Sequence, residues 1–239
     1  MTKPCRTKPV VAIDGPAGAG KSTVTRKVAE RLGYVIVDTG ALYRVVALAA
    51  EQAGIGFDDV ERTSKLAESL VAESAVQLRR GQDGAQQVLL RDKDVSGSIR
   101  TQTISQGASK VSAHPGVRQA LLELQRSQGR EGAVVLEGRD IGTVVFPDAE
   151  AKFFLTASVE VRAQRRRDEL AARGTPPSLQ EVLKEVKERD QRDSTRPVAP
   201  LKQADDAQLV DSSALSVEQV VERIVAAVHD VERRLAAGA

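Results

Sequence analysis

The sequence predicts an α/β fold with three layers, in which helices cover both faces of a five-stranded parallel sheet. Five short apolar runs alternate along the chain with stretches of helical periodicity, the order that repeated βα units give. The 239 residues, 41% of them hydrophobic, suffice for one sizeable core that carries insertions. The predicted strands are residues 10–13, 35–37, 133–136, 152–155 and 207–210.

Helical periodicity fills the stretches around these strands. Gly33, Gly54 and Gly174 are expected helix ends, and Ser178 and Ser216 are expected N-caps. The predicted helices are residues 21–32, 41–53, 101–112, 117–127, 159–173, 179–191 and 217–235.

A glycine-rich segment joins the first strand to the first helix. It reads Gly15-Pro16-Ala17-Gly18-Ala19-Gly20-Lys21-Ser22-Thr23. In this context the pattern predicts a P-loop: backbone N–H groups surround phosphates, Lys21 reaches the outer phosphates, and the Ser22 hydroxyl holds Mg²⁺. The alternative is an ordinary glycine-rich turn with an exposed lysine. We therefore expect a nucleoside triphosphate to bind at residues 15–23.

Residues 75–79 and 86–90 interrupt the βα alternation. They flank Gly81-Gln82-Asp83-Gly84 and predict a β-hairpin inserted between the second and third core strands. The predicted organisation is a core over residues 1–57, an inserted lobe over 58–131, and the rest of the core over 132–239.

Two arginine-rich helices surround the loop Gly174-Thr175-Pro176-Pro177. We interpret them as a short helical lid over about residues 160–196. The alternative is a solvated helical face laced with pairs such as Lys184 with Glu188.

The remaining polar positions indicate which phosphate chemistry to expect. The chain has two histidines, His114 and His229, interpreted as a turn residue and a helix-face residue. An acceptor that is already an anionic phosphate needs no general base, but it does need several arginines. Arginines of this kind follow two predicted strands, Arg44 in Asp38-Thr39-Gly40-Ala41-Leu42-Tyr43-Arg44 and Arg139 in Glu137-Gly138-Arg139-Asp140.

With these motifs the chain resembles the bacterial cytidylate kinases of the nucleoside monophosphate kinase family, nearly from end to end. The resemblance implies a monophosphate-binding lobe, MgATP as phosphoryl donor, and CMP or dCMP as acceptor. The segments that carry it are IDGPAGAGKST (13–23), DTGALYR (38–44), DVSGSIRTQ (94–102), EGRDIGTVVFPDA (137–149) and KERDQRDSTRPVAPL (187–201).

The resemblance also implies roles for individual residues. Asp140 with Arg118 and Ser109 would match the donor and acceptor edge of cytosine, and uracil presents the reverse pattern. The implied substrate-binding residues are Thr39, Tyr43, Arg44, Ser109, Arg118, Arg139, Asp140, Arg189, Asp193 and Arg196. The expected catalytic residues are Lys21, Arg139, Arg162, Arg165 and Arg166.

Composition limits the partners that we expect. The formal net charge is +2, so overall charge gives no reason to expect nucleic-acid or membrane binding. No apolar run is long enough to span a bilayer, and the basic N-terminus lacks the apolar segment of a signal peptide. A single cysteine, Cys5, allows no disulfide within the chain and is interpreted as incidental. We expect a cytoplasmic protein and, by resemblance, a monomer.

Two alternatives remain open from the sequence. One is a kinase that acts on UMP, AMP or another small anion through a different acceptor pocket. The other is a P-loop switch whose nucleotide state controls a partner, although the Asn-Lys-x-Asp guanine-reading segment of such switches does not occur in the chain.

Overall fold

The computed structural model describes residues 6–81, 86–172, 174 and 177–237. Cys5, the turn residues 82–84 of the predicted hairpin, and residues 175–176 of the predicted lid loop lie outside the described residues. The strands are β1 (Val10–Asp14), β2 (Val35–Asp38), β3 (Val76–Arg80), β4 (Gln86–Leu90), β5 (Lys93–Asp94), β6 (Val134–Gly138), β7 (Ala151–Thr156) and β8 (Gln208–Asp211). The helices are α1 (Lys21–Leu32), α2 (Gly40–Gln52), α3 (Val60–Ala72), α4 (Gln102–Val111), α5 (Pro115–Ser127), α6 (Val159–Ala171), α7 (Leu179–Thr195) and α8 (Val217–Ala237).

Among the described residues, five strands form the central sheet in the order β2-β6-β1-β7-β8. Strand β1 pairs parallel with β6 and β7, and β7 pairs parallel with β8. All five residues of β1 are buried, because a central parallel strand is covered on both faces. The predicted α/β fold with a five-stranded parallel sheet is confirmed.

The chain divides into two compact units. We call Met1–Val35 with Glu131–Ala239 the P-loop unit, and Ile36–Arg130 the inserted unit. The predicted domain bounds at residues 57 and 131 remain a prediction.

In the P-loop unit, α1 has the predicted bounds. It begins after Gly20 and ends at Gly33, and both glycines adopt left-handed backbone angles, with φ of 90° and 66°. The sequence pattern therefore located both ends of this helix.

The inserted unit contains the predicted hairpin, in which β3 and β4 pair antiparallel from Val76 opposite Leu90 to Arg80 opposite Gln86. It also contains α3, a helix that the sequence analysis missed. Asp59 caps α3 by accepting from the Arg62 N–H, and Thr63, Ala67 and Leu70 form its buried face. Their i, i+4, i+7 spacing after an Asp was the available signal.

The two predicted lid helices are present as α6 and α7, within the P-loop unit. Ala163 of α6 packs with Val182 and Val186 of α7, and a capping box of Ser178 and Glu181 begins α7. Lys184 Nζ lies 3.9 Å from Glu188 Oε1, and both side chains are exposed. Closure of this helix pair remains a prediction.

None of the described helices has both the length and the apolarity needed to cross a lipid bilayer.

Candidate active site

The P-loop backbone packs directly against two other segments of its unit. A Cβ on Gly15 would lie 1.9 Å from the carbonyl oxygen of Leu155 in β7, and a Cβ on Gly18 would lie 3.0 Å from the carbonyl oxygen of Arg162 in α6. Both glycines also have positive φ, 150° and 76°. Glycine is therefore required at these positions by close backbone approach and by conformation.

The carbonyl groups of the P-loop are held by neighbouring side chains. Lys21 Nζ donates to the carbonyl oxygens of Gly15 and Pro16, each at 2.7 Å. Arg162 Nη1 donates to the Ala17 carbonyl at 3.1 Å, and Ser212 Oγ donates to the Ala19 carbonyl at 3.3 Å. In a trans peptide the following N–H points the opposite way from the carbonyl, so the contacts to the Pro16, Ala17 and Ala19 carbonyls orient the N–H groups of Ala17, Gly18 and Gly20 for an anion, whereas the Gly15 carbonyl precedes Pro16, which has no N–H.

Lys21 is a buried cation whose pKa is lowered well below its ordinary value. Burial is the main cause, the positive charge of Arg139 adds to it, and the carboxylate of Glu137 opposes it. The side chain bonds to neutral carbonyls in this structure. An anionic phosphate beside Lys21 would relieve this electrostatic cost, which favours a polyanionic ligand.

Arg139 follows β6 and is tied to α7. Its Nε donates to Asp193 Oδ2 at 2.9 Å. Burial opposes the charge of Arg139, but the carboxylate of Asp193 raises the pKa of its guanidinium; burial likewise opposes the charge of Asp193, whose pKa is lowered by Arg139. Directly after the last residue of α7, Arg196 Nη2 lies 3.4 Å from Asp140 Oδ1. The turn after β6 and the end of α7 thus share two ion pairs.

Asp14, which the sequence analysis did not select, supports the same turn. Its carboxylate accepts from the backbone N–H groups of Ile141 at 2.8 Å and Gly142 at 2.7 Å. Burial raises its pKa to about 6, and these two hydrogen bonds lower it. The available signal was its place at the end of β1, directly before the P-loop.

Ser22 and Glu137 form a pair of oxygen donors beside the P-loop. Ser22 Oγ donates to Glu137 Oε2 at 3.0 Å, and Glu137 is 4% exposed. Hydroxyl and carboxylate oxygens are suitable ligands for Mg²⁺. In the described ranges no group of three or more His, Cys, Asp or Glu side chains could hold a metal. The sequence analysis selected Ser22 but not Glu137.

The three predicted catalytic arginines of α6 have different surroundings. Arg162 is 4% exposed and donates to the P-loop and to Asp190 of α7. Arg165 donates to the Ser212 side chain at 3.0 Å and to the Ser212 carbonyl at 2.8 Å. Arg166 is half-buried and bonds Glu169 at 3.1 Å on its own helix.

Five predicted substrate-binding residues belong to the inserted unit. Arg44 forms an ion pair with Asp38. The Arg118 guanidinium lies over the Tyr43 ring, 5.4 Å from its centroid, and donates to the Ser112 carbonyl at 3.2 Å. Thr39 and Ser109 are buried, 3% and 4% exposed. Within this unit the structure brings Arg118 and Tyr43 into contact, while Arg139, Asp140, Arg189, Asp193 and Arg196 belong to the P-loop unit.

Comparison with known proteins decides the family. The model of the family described as cytidylate kinase matches residues 11–230. The chain belongs to the cytidylate kinase family. It is 52% identical to a cytidylate kinase of Geobacter sp. (strain M21), over 96% of this chain and 95% of that one. It is 51% identical to one of Syntrophotalea carbinolica over 90% of both chains, and 49% identical to one of Methylococcus capsulatus over 90% of this chain and 95% of that one.

Membership of the cytidylate kinase family confirms the resemblance and the predicted enzyme class, an ATP-dependent nucleoside monophosphate kinase.

The histidines are in structural positions. His114 precedes α5, and its Nδ1 lies 2.8 Å from Thr63 Oγ1, while His229 pairs with Glu232 on α8. A cytidylate kinase does not need either ring as a base, because the acceptor phosphate is already an anion.

Proposed function

We propose that the protein transfers the γ-phosphoryl group of ATP to CMP or dCMP and forms ADP with CDP or dCDP. The observation that carries the proposal is the buried Lys21 with a lowered pKa, set in a P-loop whose carbonyls are already bonded. Such a site is complementary to a polyphosphate, and family membership supports cytidine monophosphate as acceptor.

ATP is proposed to bind through residues 15–23. Lys21 would exchange the carbonyls of Gly15 and Pro16 for phosphate oxygens, and attraction to the phosphate charge would then offset the cost of burying the ammonium. Ser22 and Glu137 would hold Mg²⁺, which when bound neutralises negative charge on the donor phosphates.

The proposed acceptor-binding residues form two sets. The inserted unit supplies Thr39, Tyr43, Arg44, Ser109 and Arg118, and the P-loop unit supplies Arg139, Asp140, Arg189, Asp193 and Arg196. Asp140, Ser109 and Arg118 would read the cytosine edge. UMP would leave buried polar groups of these residues unpaired, which costs more than imperfect packing.

Catalysis in this proposal is positioning and charge neutralisation. Lys21 is buried and Arg139 is half-buried, and Arg165 and Arg166 add positive charge from α6. They would stabilise the charge that spreads over the transferred group, and no covalent intermediate is needed. We propose that α6 and α7, about residues 160–196, act as a lid that excludes water, and that the domain bounds are those predicted from the sequence.

The proposal also covers partners and location. The ligands are ATP with CMP or dCMP, and the protein is proposed to act as a cytoplasmic monomer without nucleic-acid or membrane partners. The small net charge of +2 supports the proposed absence of nucleic-acid and membrane partners, because it provides no strong general attraction to such polyanions.

A panel of acceptors tests the proposed function. ADP release should be measured with CMP, dCMP, UMP and AMP, first with Mg²⁺ and then with excess chelator. We expect kcat/KM for CMP or dCMP to exceed that for UMP and AMP by at least about 100-fold, and chelation to abolish turnover. Equal use of UMP would contradict the cytosine-reading set. Absence of transfer to any monophosphate would contradict the proposed activity.

Arg189→Ala tests the α7 part of the acceptor set. We expect the KM for CMP to rise about tenfold or more, since a cationic contact to the acceptor is lost, while the KM for ATP stays within about threefold. Lys187→Ala on the same helix is the control, because Lys187 is exposed. A change confined to the KM for ATP would refute this assignment.

A further inference from the structure

Arg162 joins three segments of the P-loop unit. Its Nε donates to the Ala157 carbonyl at 2.9 Å, at the junction of β7 and α6, and its Nη1 donates to the Ala17 carbonyl of the P-loop at 3.1 Å. Nη1 and Nη2 also bind the two carboxylate oxygens of Asp190 on α7, at 3.0 and 2.6 Å. All three nitrogen atoms of the guanidinium are therefore engaged with protein atoms.

The ion pair extends the apolar contact between α6 and α7. Val182 and Val186 pack on Ala163, and Asp190 follows Val186 by four residues, so it occupies the next turn of the same face of α7. Arg162 precedes Ala163 directly and is 4% exposed. A charged pair thus occupies a position where the pattern would continue with an apolar residue.

Asp190 lies beside the helix face that reaches the turn after β6. At about 100° per residue, Asp193 projects from α7 about 60° away from Asp190, and Arg196 follows the last residue of the helix directly. Asp193 binds Arg139 and Arg196 binds Asp140, whereas Asp190 binds the arginine that holds the Ala17 carbonyl. One rigid helix thus connects the P-loop backbone to the turn that carries two proposed acceptor-binding residues.

We propose that Asp190 is a positioning residue that, through Arg162, couples occupancy of the P-loop by the donor to affinity for the acceptor. Because Arg162 fixes the Ala17 carbonyl, a change in the adjacent peptide on phosphate binding alters the hold on Asp190 and hence the placement of Asp193 and Arg196. In this role Arg162 acts on the P-loop and α7 and does not contact the transferred group. The inference rests on the proposed function and adds to it a reciprocal linkage between the two nucleotide sites.

Calorimetric binding without turnover tests the linkage. The dissociation constant of CMP is measured alone and in the presence of a saturating non-hydrolysable ATP analogue with Mg²⁺. For the wild-type protein we expect CMP to bind about 5–150-fold more tightly when the analogue is present, the range typical of coupled sites. We call the ratio of the two CMP dissociation constants, without and with the analogue, the coupling factor. In Asp190→Asn, which keeps the shape but loses the charge, we expect this factor to fall to about 1–2. The affinity for the analogue alone should change by less than about threefold.

Three further variants make the result specific. Glu188→Gln removes an exposed carboxylate from α7 and should retain the wild-type factor. Asp190→Glu keeps the charge but changes the length, and it should retain binding of each nucleotide alone while reducing the factor by at least about threefold. Arg162→Lys keeps the charge but cannot form the two-pronged contact with Asp190, and it should behave like Asp190→Asn.

The outcomes separate the inference from the proposed function. Wild-type protein that binds and phosphorylates CMP but shows a factor near 1 overturns the linkage alone, and so does a folded Asp190→Asn with an undiminished factor. If Asp190→Asn does not fold, an undiminished factor in Asp190→Glu overturns it instead. Failure of the wild-type protein to bind or phosphorylate CMP would refute the proposed function itself.

Discussion

The two units bury polar groups in different ways. In the P-loop unit, Lys21, Arg139, Arg162 and Arg196 are cations held by carboxylates or backbone carbonyls. The inserted unit has an extensive apolar core on α2 to α5, and its buried polar contacts include neutral pairs such as Gln125 with Tyr43. Arg118, which lies over Tyr43, is a buried cation in that unit too. Apolar burial thus dominates the inserted unit, whereas the interior of the P-loop unit holds several charges, most of them in ion pairs.

Lys21→Ala should produce the largest effect on activity. We expect kcat to fall by at least about 10²–10³-fold, since a buried cation aimed at transferred charge is lost, while CMP affinity stays within about threefold. Lys27→Ala, an exposed position on the same helix, is the control. A normal turnover number for Lys21→Ala would remove the P-loop from the mechanism.

Alanine substitutions at glycines compare the packing of the two units. Gly15→Ala should lower the free energy of unfolding by about 3 kcal/mol or more, because the new Cβ meets backbone at 1.9 Å. Gly107→Ala in the inserted unit should cost about 1–2 kcal/mol, since its Cβ meets the Phe57 ring at 2.8 Å and a side chain can move. Gly56→Ala, with no neighbour within 4 Å, should stay within about 0.5 kcal/mol. Urea unfolding measures all three, and equal costs for Gly15→Ala and Gly107→Ala would contradict the distinction.

The sequence predicted the elements better than it predicted the site contacts. Apolar periodicity and glycine located α1 to the residue, and the P-loop was evident from local spacing. Helix α3 was missed because its buried face consists of Thr63, Ala67 and Leu70, and only Leu70 is a large apolar residue. The contacts of Asp14 with Ile141 and of Ser22 with Glu137 join residues 127 and 115 positions apart. Such pairs depend on which strands become neighbours in the sheet, and no local pattern specifies that order.

Glu137→Gln tests whether the carboxylate of Glu137, in the P-loop unit, binds Mg²⁺. The carboxylate beside Ser22 is a proposed Mg²⁺ ligand, so the Mg²⁺ concentration for half-maximal rate should rise about tenfold. Titration of Mg²⁺ at fixed ATP and CMP measures this shift. Glu218→Gln, an exposed change in the same unit, should leave the titration unchanged. An unaltered Mg²⁺ requirement in Glu137→Gln would limit Glu137 to holding the Ser22 hydroxyl.

The smallest predicted effect concerns His114 in the inserted unit. The Thr63 hydroxyl can donate to the Asp59 carbonyl at 2.7 Å and accept from His114 Nδ1 at 2.8 Å, a hydrogen bond that the neutral ring makes as its Nδ1–H tautomer. Burial lowers the pKa of His114, and the carboxylates of Asp58 and Asp59 oppose that shift. A histidine whose pKa is lower in the folded state stabilises the fold above its ordinary pKa of about 6.5, and this contribution is lost as the pH falls below that value.

Chemical unfolding between pH 7.5 and 5.5 checks this prediction. Wild-type protein should lose more stability over the interval than His114→Asn, whose amide can cap α5 but carries no titrating proton. The difference should vanish at pH 7.5, apart from a constant offset for the substitution. Parallel pH profiles for the two proteins would show that protonation of His114 is not coupled to the contact between α3 and α5. The acid sensitivity of the inserted unit would then have to arise from its carboxylates, and the contrast with the charged interior of the P-loop unit would be weaker.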